Sequence, residues 1–381
     1  MSSSEIAIRP VRNRRDLDAF LKVPFWLHQN EPHWVPPLFF ERREFLNRRK
    51  NPWFRHADAE LFLAERDGRA VGRISAQIDY RWDEYQGGND GMFGFFESVD
   101  DPAVAQGLVD AAREWLRGHG RERMLGPMDF TTNDECGLLV DGFDETPVVL
   151  MNWHPPYYRE LLESGVGLEK EIDTQMWRLR MGELHEGDEF HPFIMQAARD
   201  CEHKHQVKLR NMKRSNLAAE VARFMDVYNS AWSSNWGFVP VTDEEIKFYA
   251  KNLKPVLDED WAMIAELDGE VVGAALSLPD INQFLPKLGG RLLPLGWLRF
   301  LVGRKREIDR VRVFALGVKP EYQHLGVAAA LYVRHTEMCS PDGIMTGITG
   351  WILESNEPMN RAMEGMGGTV IQRYRIYSTA L

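Results

Sequence analysis

The fold is decided by Val313-Phe-Ala-Leu-Gly-Val-Lys-Pro-Glu-Tyr-Gln-His-Leu-Gly-Val-Ala-Ala-Ala-Leu331. An apolar run rich in β-forming residues, Val311 to Val318, ends at a Lys-Pro-Glu turn. A Gln-x-x-Gly-x-Ala loop, Gln323 to Ala328, then leads directly into small, helix-favouring residues. This order predicts an anion site, because the unpaired amides of a first helical turn lie at the positive end of the helix dipole. Gly326 and Ala328 are small, so a phosphate can approach the backbone closely.

These residues resemble the cofactor motif of the GNAT acetyltransferase superfamily, Gln/Arg-x-x-Gly-x-Gly/Ala after a strand. The Walker loop and the dinucleotide fingerprint do not fit. In the GNAT family the loop cradles the pyrophosphate of acetyl-CoA, the preceding strand binds the pantetheine arm, and an asparagine after the partner strand contacts that arm. The resemblance therefore implies a site for acetyl-CoA or another acyl-CoA as co-substrate. The residues expected to bind it are Leu316, Gly317, Val318, Gln323, His324, Leu325, Gly326, Val327, Ala328, Ala329 and Asn356. Asn356 also suits a helix N-cap, and the two roles are compatible.

The composition is that of a globular protein with an acidic balance. Hydrophobic residues make up 44% and charged residues 27%, and the net charge is -11, so the whole protein is not expected to bind nucleic acid or an anionic membrane. Three scattered cysteines fit a reducing cytoplasm, and no signal peptide or bilayer span is expected. His185, His191, Cys201, His203 and His205 lack the paired spacing of structural zinc sites, so we expect no metal.

The chain contains an internal repeat. Phe62–Asp79 aligns with Met263–Asp280 at a constant offset of 201 residues, and seven of the 18 aligned positions are identical. Each copy predicts two strands joined by a tight Asp-Gly turn, which is a β-hairpin. The same offset pairs Ile8-Arg9 with Leu209-Arg210, each just before an amphipathic helical stretch.

Both halves follow the order of elements in a GNAT domain. Met92–Phe96 takes the place of Val313–Gly317, and a helix is predicted after each, at Ala103–Arg117 and Val327–Met338. The predicted fold is α/β: two tandem GNAT-like domains, each a mostly antiparallel sheet with splayed central parallel strands flanked by helices. We expect an N-terminal domain at 1–182, a connecting helix and linker at 183–204, and a C-terminal domain with the acyl-CoA site at 205–381.

The first half lacks a phosphate loop. Its predicted strand is followed by Asp100-Asp101, whose carboxylates suit a helix N-terminus but repel a pyrophosphate and compete for the same amides. The loop of the second half, Tyr322 to Ala328, contains no acid. The sequence therefore predicts one acyl-CoA site per chain.

The catalytic residues are less clearly indicated than the cofactor loop. Many GNAT members have a tyrosine seven residues after the motif asparagine, which protonates the departing CoA thiolate; here the residue is Met363, which cannot donate. Transfer to an ammonium also needs a base, because only the neutral amine attacks a thioester. Glu354, at the predicted end of the partner strand, is the first candidate, although a solvated glutamate is equally consistent. Tyr374 or Tyr377 could supply a phenol, although core packing explains them as well.

Thirty residues, Ile281 to Arg310, separate the second hairpin from the cofactor strand. From Ile281 to Arg306 there are six basic residues and no acid, interleaved with Leu, Trp and Phe. Such a segment can form a helical lid whose bases are solvated. It can also contact an acyl chain, an acyl carrier or an anionic membrane surface.

The leading hypothesis is an acyl-CoA-dependent N-acyltransferase acting on a small-molecule or peptide amine. The acceptor, the acyl chain length and the oligomeric state stay open. A non-catalytic acyl-CoA-binding protein is an alternative that Met363 favours, and a lipid-like or carrier-bound acceptor is another that the basic segment favours. An aminoacyl transferase of the peptidoglycan-bridge type, also a tandem GNAT fold, fits the intact loop less well.

Overall fold

The computed structural model describes residues 5–180, 192–233, 235–253, 257–291, 307–342 and 345–381. The chain forms two compact units. The first comprises the described residues of 1–174, 285–296 and 372–381, and the second those of 175–284 and 297–371. The domain boundaries expected from the sequence, at 182/183 and 204/205, remain a prediction, because residues 181–191 lie outside the described ranges.

The first unit is built around a five-stranded set of neighbours, β1-β2-β3-β4-β5, with helices packed on it. Its elements are β1 (Ala7–Pro10), α1 (Arg14–Leu27), α2 (Phe39–Phe45), β2 (Ala57–Arg66), β3 (Arg69–Asp79), α3 (Tyr80–Gln86), β4 (Asp90–Ser98), α4 (Pro102–Gly118), β5 (Arg123–Gly126), β6 (Leu138–Asp141), α5 (Tyr157–Glu160) and the first part of β7 (Glu169–Leu179).

The second unit repeats this arrangement with the strand order β12-β11-β10-β9-β8. Its elements are the last part of β7, α6 (Pro192–Arg199), β8 (Lys208–Asn211), α7 (Leu217–Ala231), α8 (Asp243–Leu253), β9 (Ala262–Leu267), β10 (Glu270–Pro279), β11 (Arg310–Val318), α9 (Val327–Asp342), β12 (Thr346–Leu353), α10 (Glu357–Gly365) and the first part of β13 (Thr369–Ala380).

The two predicted hairpins are confirmed. β2 pairs antiparallel with β3, and β9 pairs antiparallel with β10. The turns carry positive φ angles at both central residues, 52° and 72° at Asp67-Gly68 and 51° and 85° at Asp268-Gly269. Asp-Gly favours this turn because its twist matches the twist of the flanking strands. The α/β prediction, with mostly antiparallel strands and one central parallel pair in each unit, is confirmed as well.

The last strand of the chain belongs mainly to the first unit. Residues 372–381 are part of that unit, and β13 pairs antiparallel with β5, from Tyr377 with Gly126 to Ala380 with Arg123. Conversely, residues 175–179 at the end of β7 belong to the second unit. The two halves therefore exchange the ends of their last strands, which the sequence repeat did not predict.

Each unit has an apolar core between its sheet and a long helix. In the first unit, α4 buries Val104, Leu108 and Leu116 completely against the sheet. In the second, α9 buries Val327 and Leu331 in the same way. Burial of one such side chain contributes roughly 1.5–3 kcal/mol, so these helix faces anchor the elements that lead into the candidate site.

The helices lie close to their predicted positions. The segment expected to connect the two halves, 183–204, is described from Pro192, where it forms α6 and then a π-helical turn at Asp200–Lys204. No helix among the described residues combines the length and the apolarity needed to cross a bilayer.

The insertion before β11 is described as far as residue 291. It begins with two 3-10 turns, Ile281–Gln283 and Leu285–Leu288. Its described residues from Leu285 to Arg291 belong to the first unit, where the Phe39 amide donates to the Gly290 carbonyl oxygen over 3.1 Å. The basic core of the insertion, residues 292–306, lies outside the described ranges.

Candidate functional site

The predicted strand, turn and helix are present after β11. A 3-10 turn, Pro320–Leu325, connects the end of β11 at Val318 to α9. Gly326 closes the turn in the left-handed conformation, with φ 77° and ψ 15°. The first intrahelical bond runs from Ala330 N to Gly326 O (3.1 Å), so the three amides before Ala330 have no partner within the helix. These amides are the groups that a pyrophosphate would accept from.

Gly326 is required by the fold for two reasons. A positive φ of 77° costs any residue with a Cβ atom, and a Cβ here would lie 2.6 Å from the Ala197 carbonyl oxygen of α6. The space beside its Cα atom is therefore taken by α6 and is not left for a phosphate. The small size of the residue acts through packing, and the loop amides supply the anion-binding capacity.

The surroundings of the turn favour recognition by backbone amides. Gln323 and His324 are exposed, and Leu325, Ala328 and Ala329 are half-buried. Lys319, which precedes the turn, is held by Asp226 at 3.0 Å and Glu270 at 3.2 Å. The exposed side chains of Gln323 and His324 and the backbone amides are the donors that the turn itself offers.

The central strands of the second unit separate just where the cofactor arm is expected. β11 and β12 pair in parallel from Arg310 with Thr346 to Val313 with Thr349, and no further pair follows among the described residues. A bulge at Phe314 follows, since Leu276 of β10 faces Ala315 and Ser277 faces Val313, which leaves Phe314 without an opposite residue. The bulge bends β11 away from β12. The backbone of Leu316, Gly317 and Val318 lies beyond this bulge, paired with β10.

One detail of this opening fits an elongated polar arm. The Thr349 hydroxyl is buried and has no hydrogen-bond partner in the described part of the chain, which a buried polar atom rarely tolerates. Gly317 has no side chain because the Trp232 ring occupies that space, where a Cβ would meet the ring at 2.2 Å. Thr349 was not identified from the sequence, where a lone threonine in an apolar strand carries no signal.

The end of β12 brings Glu354 and Asn356 together. Glu354 follows the strand directly and is half-buried. Asn356 caps α10 by accepting from the Met359 amide at 3.3 Å, as an N-cap does. The turn is fixed by Asn360, whose amide nitrogen donates to the carbonyl oxygens of Leu353 (3.0 Å) and Glu354 (3.2 Å). The cofactor loop, Glu354 and Asn356 all belong to the second unit.

Met363 offers no proton donor, because it is fully buried in an apolar cluster with Trp261 and Ile352. A phenol lies close by: the Tyr332 hydroxyl of α9 contacts the Met359 sulfur of α10 at 3.4 Å. Burial raises the pKa of Tyr332 to about 12, so the phenol stays protonated at neutral pH. Tyr332 was not predicted from the sequence, because nothing in the helix pattern distinguishes this tyrosine from a packing residue.

Tyr374 belongs to the first unit, is fully buried, and donates its hydroxyl to the Asn152 carbonyl oxygen over 2.9 Å. Tyr377 is also buried there and donates to Glu163 at 3.1 Å. Both phenols thus have structural partners within the first unit, whereas Glu354 belongs to the second.

In the first unit, an acidic residue caps the N-terminus of α4, the helix equivalent to α9. Asp101 caps α4 and its carboxylate accepts from the Ala103 amide at 2.9 Å, as the sequence predicted. The register also corrects the alignment of the two halves by one residue. Gly72 pairs with Ser98 while its repeat partner Gly273 pairs with Val318. Glu97, and not Phe96, therefore stands at the position of Gly317.

Glu97 is the centre of a buried polar cluster that the sequence analysis missed. Its Oε2 atom lies 2.7 Å from His28 Nε2 and accepts from the Tyr158 hydroxyl at 2.7 Å, while Arg73 donates to Oε1 at 3.3 Å. Burial alone would raise the pKa of Glu97, but His28 and Arg73 lower it to about 2. The available signal was the charged residue at the end of the otherwise apolar run Met92–Phe96.

No metal site is found among the described residues. Cys201 is fully buried in the core of the second unit, and burial raises the pKa of its thiol to about 11. His185 and His191 lie outside the described ranges.

Comparisons with known proteins agree with this architecture. No family model matches the chain. A bacterial ceramide synthase from Caulobacter vibrioides is 36% identical over 387 aligned positions, which cover 100% of this chain and 99% of that protein. Protein YghO from Escherichia coli is 34% identical over 382 positions, covering 99% of this chain and 96% of that protein.

Solved structures show the same fold at low sequence identity. A tandem GNAT protein from the clavulanic acid biosynthesis pathway matches with a TM-score of 0.56 and 11% identity, covering 99% of this chain and 98% of that one. A GCN5-related N-acetyltransferase from Sphaerobacter thermophilus matches with a TM-score of 0.54 and 12% identity, covering 98% and 95%. The chain therefore has the GNAT fold and belongs to the family of the bacterial ceramide synthase and Protein YghO.

Proposed function

We propose that this protein is an acyl-CoA-dependent N-acyltransferase whose second unit binds the acyl-CoA and whose acceptor is a long-chain amino alcohol. The observation that carries the proposal is the helix start after Gly326, where the stretch Tyr322–Ala328 contains no acid and the first amides of α9 have no helical partners. The equivalent amide in the first unit is occupied by Asp101. The acceptor class is supported by the full-length relation to a ceramide synthase, since a ceramide is the amide of a fatty acid and a long-chain amino alcohol.

The cofactor residues are assigned in three groups. The turn and helix start, Gln323 to Ala329, bind the pyrophosphate through amides and through His324. The strand backbone at Leu316 to Val318 binds the pantetheine arm, and the Thr349 hydroxyl is available to its amides. Asn356 is assigned a contact with the same arm, and its side chain fixes the start of α10 by accepting from the Met359 amide.

The reaction needs little from the protein beyond positioning and proton transfer. The acceptor ammonium loses a proton, the neutral amine attacks the thioester carbonyl carbon, and the carbon–sulfur bond breaks as the amide forms. We assign the base to Glu354 and the acid that protonates the departing thiolate to Tyr332. Tyr332 is placed here because Met363 cannot donate and because the phenol contacts the first turn of α10.

The insertion 281–310 is proposed to contact a long alkyl chain. Its Leu, Trp and Phe suit an alkyl chain and its bases suit the phosphates of CoA, and long chains are what a ceramide-type product requires. A preference for palmitoyl-CoA over acetyl-CoA would support this role, and equal affinity would remove it.

The cofactor assignment is tested by placing an acid in the loop. Gln323→Glu adds a charge to an exposed loop residue and is expected to weaken CoA binding about tenfold at low salt and less at high salt, by repulsion. Gln106→Glu makes the same change on α4 of the first unit and serves as the matched control. The measurement is calorimetric titration with CoA, acetyl-CoA and palmitoyl-CoA.

Three results would separate the alternatives. Equal affinities of both variants and the wild type would contradict the assignment of the loop. Two binding sites per chain would contradict the assignment of a single competent unit. Tight binding without turnover of any amine or amino alcohol would leave an acyl-CoA-binding protein.

A further inference from the structure

The helices α1 and α2 of the first unit lie side by side and run in opposite directions. Arg43 in the second half of α2 bonds to Asp18 in the first half of α1. Phe39 at the start of α2 stacks on Phe25 near the end of α1, with ring centroids 4.1 Å apart. The two helices therefore form a hairpin with an aromatic stack at one end.

Two large aromatic side chains are exposed at this end of the hairpin. Trp26, in the last turn of α1, is 39% exposed, and Phe40, in the first turn of α2, is 55% exposed. Each directly follows a member of the Phe25–Phe39 stack in the chain, so both belong to the same end of the hairpin. Large apolar side chains that are exposed together mark contact surfaces more often than single ones do.

The described start of the insertion lies against the same end of the hairpin. The Gly290 carbonyl oxygen accepts from the Phe39 amide at 3.1 Å, and a Cβ at Gly290 would lie 2.6 Å from the Phe25 ring. Residues 285–291 contain two charged side chains, Lys287 and Arg291, and both are exposed. This stretch therefore adds positive charge to the aromatic end of the hairpin.

The exposed charges of the hairpin are opposite in sign to the net charge of the chain, which is -11. Between positions 11 and 50, the exposed charged residues are seven bases and one acid, namely Arg12, Arg14, Arg15, Lys22, Arg48, Arg49, Lys50 and Glu31. Glu60 and Asp58 of β2 each pair with one of these bases at 2.7 Å. Three half-buried acids, Asp18, Glu41 and Glu44, also belong to the hairpin, and Arg43 neutralises the first of them. A positive excess remains after these pairs are counted.

The repeated copy in the second unit lacks this combination. Among the described residues between positions 211 and 252, the exposed charges are five bases and three acids, namely Lys213, Arg214, Arg223, Lys247, Lys251, Asp226, Asp243 and Glu244. None of the large hydrophobic side chains that are exposed in the described part of the chain lies on α7 or α8. The GNAT fold itself therefore does not require exposed aromatic residues and a basic surface at this position.

We propose that this surface of the first unit, formed by α1, α2 and residues 285–291, docks on an anionic lipid bilayer. Trp26 and Phe40 enter the headgroup region, where aromatic side chains are favoured, and the bases contact the lipid phosphates. The acidic balance of the whole chain does not oppose this docking, because salt screens charges that lie more than about 8 Å from the bilayer. Docking of this kind goes beyond the proposed function and does not require turnover.

Two kinds of variant test the aromatic and the electrostatic contributions separately. Phe40→Ser removes an aromatic ring, and Trp26→Ser repeats the test at a second residue. Their control is Tyr85→Ser on α3, because Tyr85 is 52% exposed in the same unit. The combined substitutions Lys22→Gln and Lys50→Gln remove two exposed charges of the hairpin. Their control combines Lys213→Gln with Lys247→Gln, which removes two exposed lysines of the second unit.

The measurement is co-sedimentation of the full-length protein with vesicles in the absence of acyl-CoA. The wild type is expected to bind vesicles made of equal parts phosphatidylglycerol and phosphatidylcholine, and not vesicles of phosphatidylcholine alone. Loss of either aromatic ring should weaken binding about fivefold. Loss of the two lysines should weaken it about twentyfold at low salt and less at high salt, since each base near an anionic bilayer contributes about fivefold. Both controls should bind as the wild type does, and the melting temperatures should stay close to that of the wild type.

Several results would overturn the docking surface. One is that the wild type does not sediment with the phosphatidylglycerol vesicles at low salt. Another is that the control variants lose as much binding as the hairpin variants, or that the hairpin variants bind as the wild type does. A loss in the lysine variant alone would exclude entry of the aromatic rings into lipid and would point to an acidic protein partner instead. Absence of amine acylation by the wild type would contradict the proposed function and leave the vesicle result unaffected.

Discussion

Replacing Gly326 with alanine is expected to destabilise the second unit by about 3 kcal/mol, because two separate penalties coincide at this residue. The left-handed backbone, φ 77°, costs a residue with a Cβ atom about 1 kcal/mol. The new Cβ would also lie 2.6 Å from the Ala197 carbonyl oxygen, whereas ordinary contacts begin at 3.4 Å. The turn or α6 must therefore move by about 0.8 Å, and overpacking of this kind costs about 2 kcal/mol.

Gly269→Ala provides the matched control in the same unit. Gly269 has a comparable φ of 85° but no atom within 4 Å of an added Cβ, so only the conformational cost of about 1 kcal/mol applies. For a unit of this size, thermal unfolding should shift by about 3 °C in G269A and about 9 °C in G326A. Calorimetry should also show weaker CoA binding in G326A alone, because movement of the turn displaces the first amides of α9. Equal shifts and equal affinities in the two variants would refute the close approach of α6 to the loop.

Three further outcomes are expected. The pKa of Glu97 is lowered from 4.5 to about 2, so its contribution of about 3 kcal/mol to the free energy of unfolding is present above pH 4.5 and is lost as the pH falls toward 2. Between pH 6 and pH 3 the wild type should therefore lose about 2 kcal/mol more unfolding free energy than Glu97→Gln. Parallel losses in the two proteins would contradict the burial of an ionised Glu97. Glu354→Gln should lower kcat about a hundredfold with unchanged CoA affinity if Glu354 is the base, and full activity would exclude it. Tyr332→Phe should lower kcat about tenfold without changing KM for the acceptor. An unchanged kcat would mean that water, and not Tyr332, protonates the departing thiolate.

The sequence was informative where structure is local. The hairpins followed from alternating apolar residues and Asp-Gly turns, and the cofactor turn from the order of strand, loop and helix around Gly326. The exchange of last strands was not accessible, because two similar β-prone segments can each pair with either sheet and tertiary packing decides. The Glu97 cluster was equally hidden, since its partners His28 and Tyr158 lie 69 and 61 residues away in the chain.

The two copies differ most at one shared contact, between the bulged central strand and the end of the first long helix of each unit. In the second unit, Gly317 presents bare backbone beneath Trp232, the residue that ends α7. In the first unit the same strand position is Glu97, bonded to His28, the residue that ends α1. Bare backbone beside separated strands can bind an extended amide-containing arm along its length. Glu97 instead places an ionised carboxylate at this position, and its oxygens are already bonded by His28, Tyr158 and Arg73. Divergence at this one contact therefore agrees with the proposal that only the second unit binds an acyl-CoA.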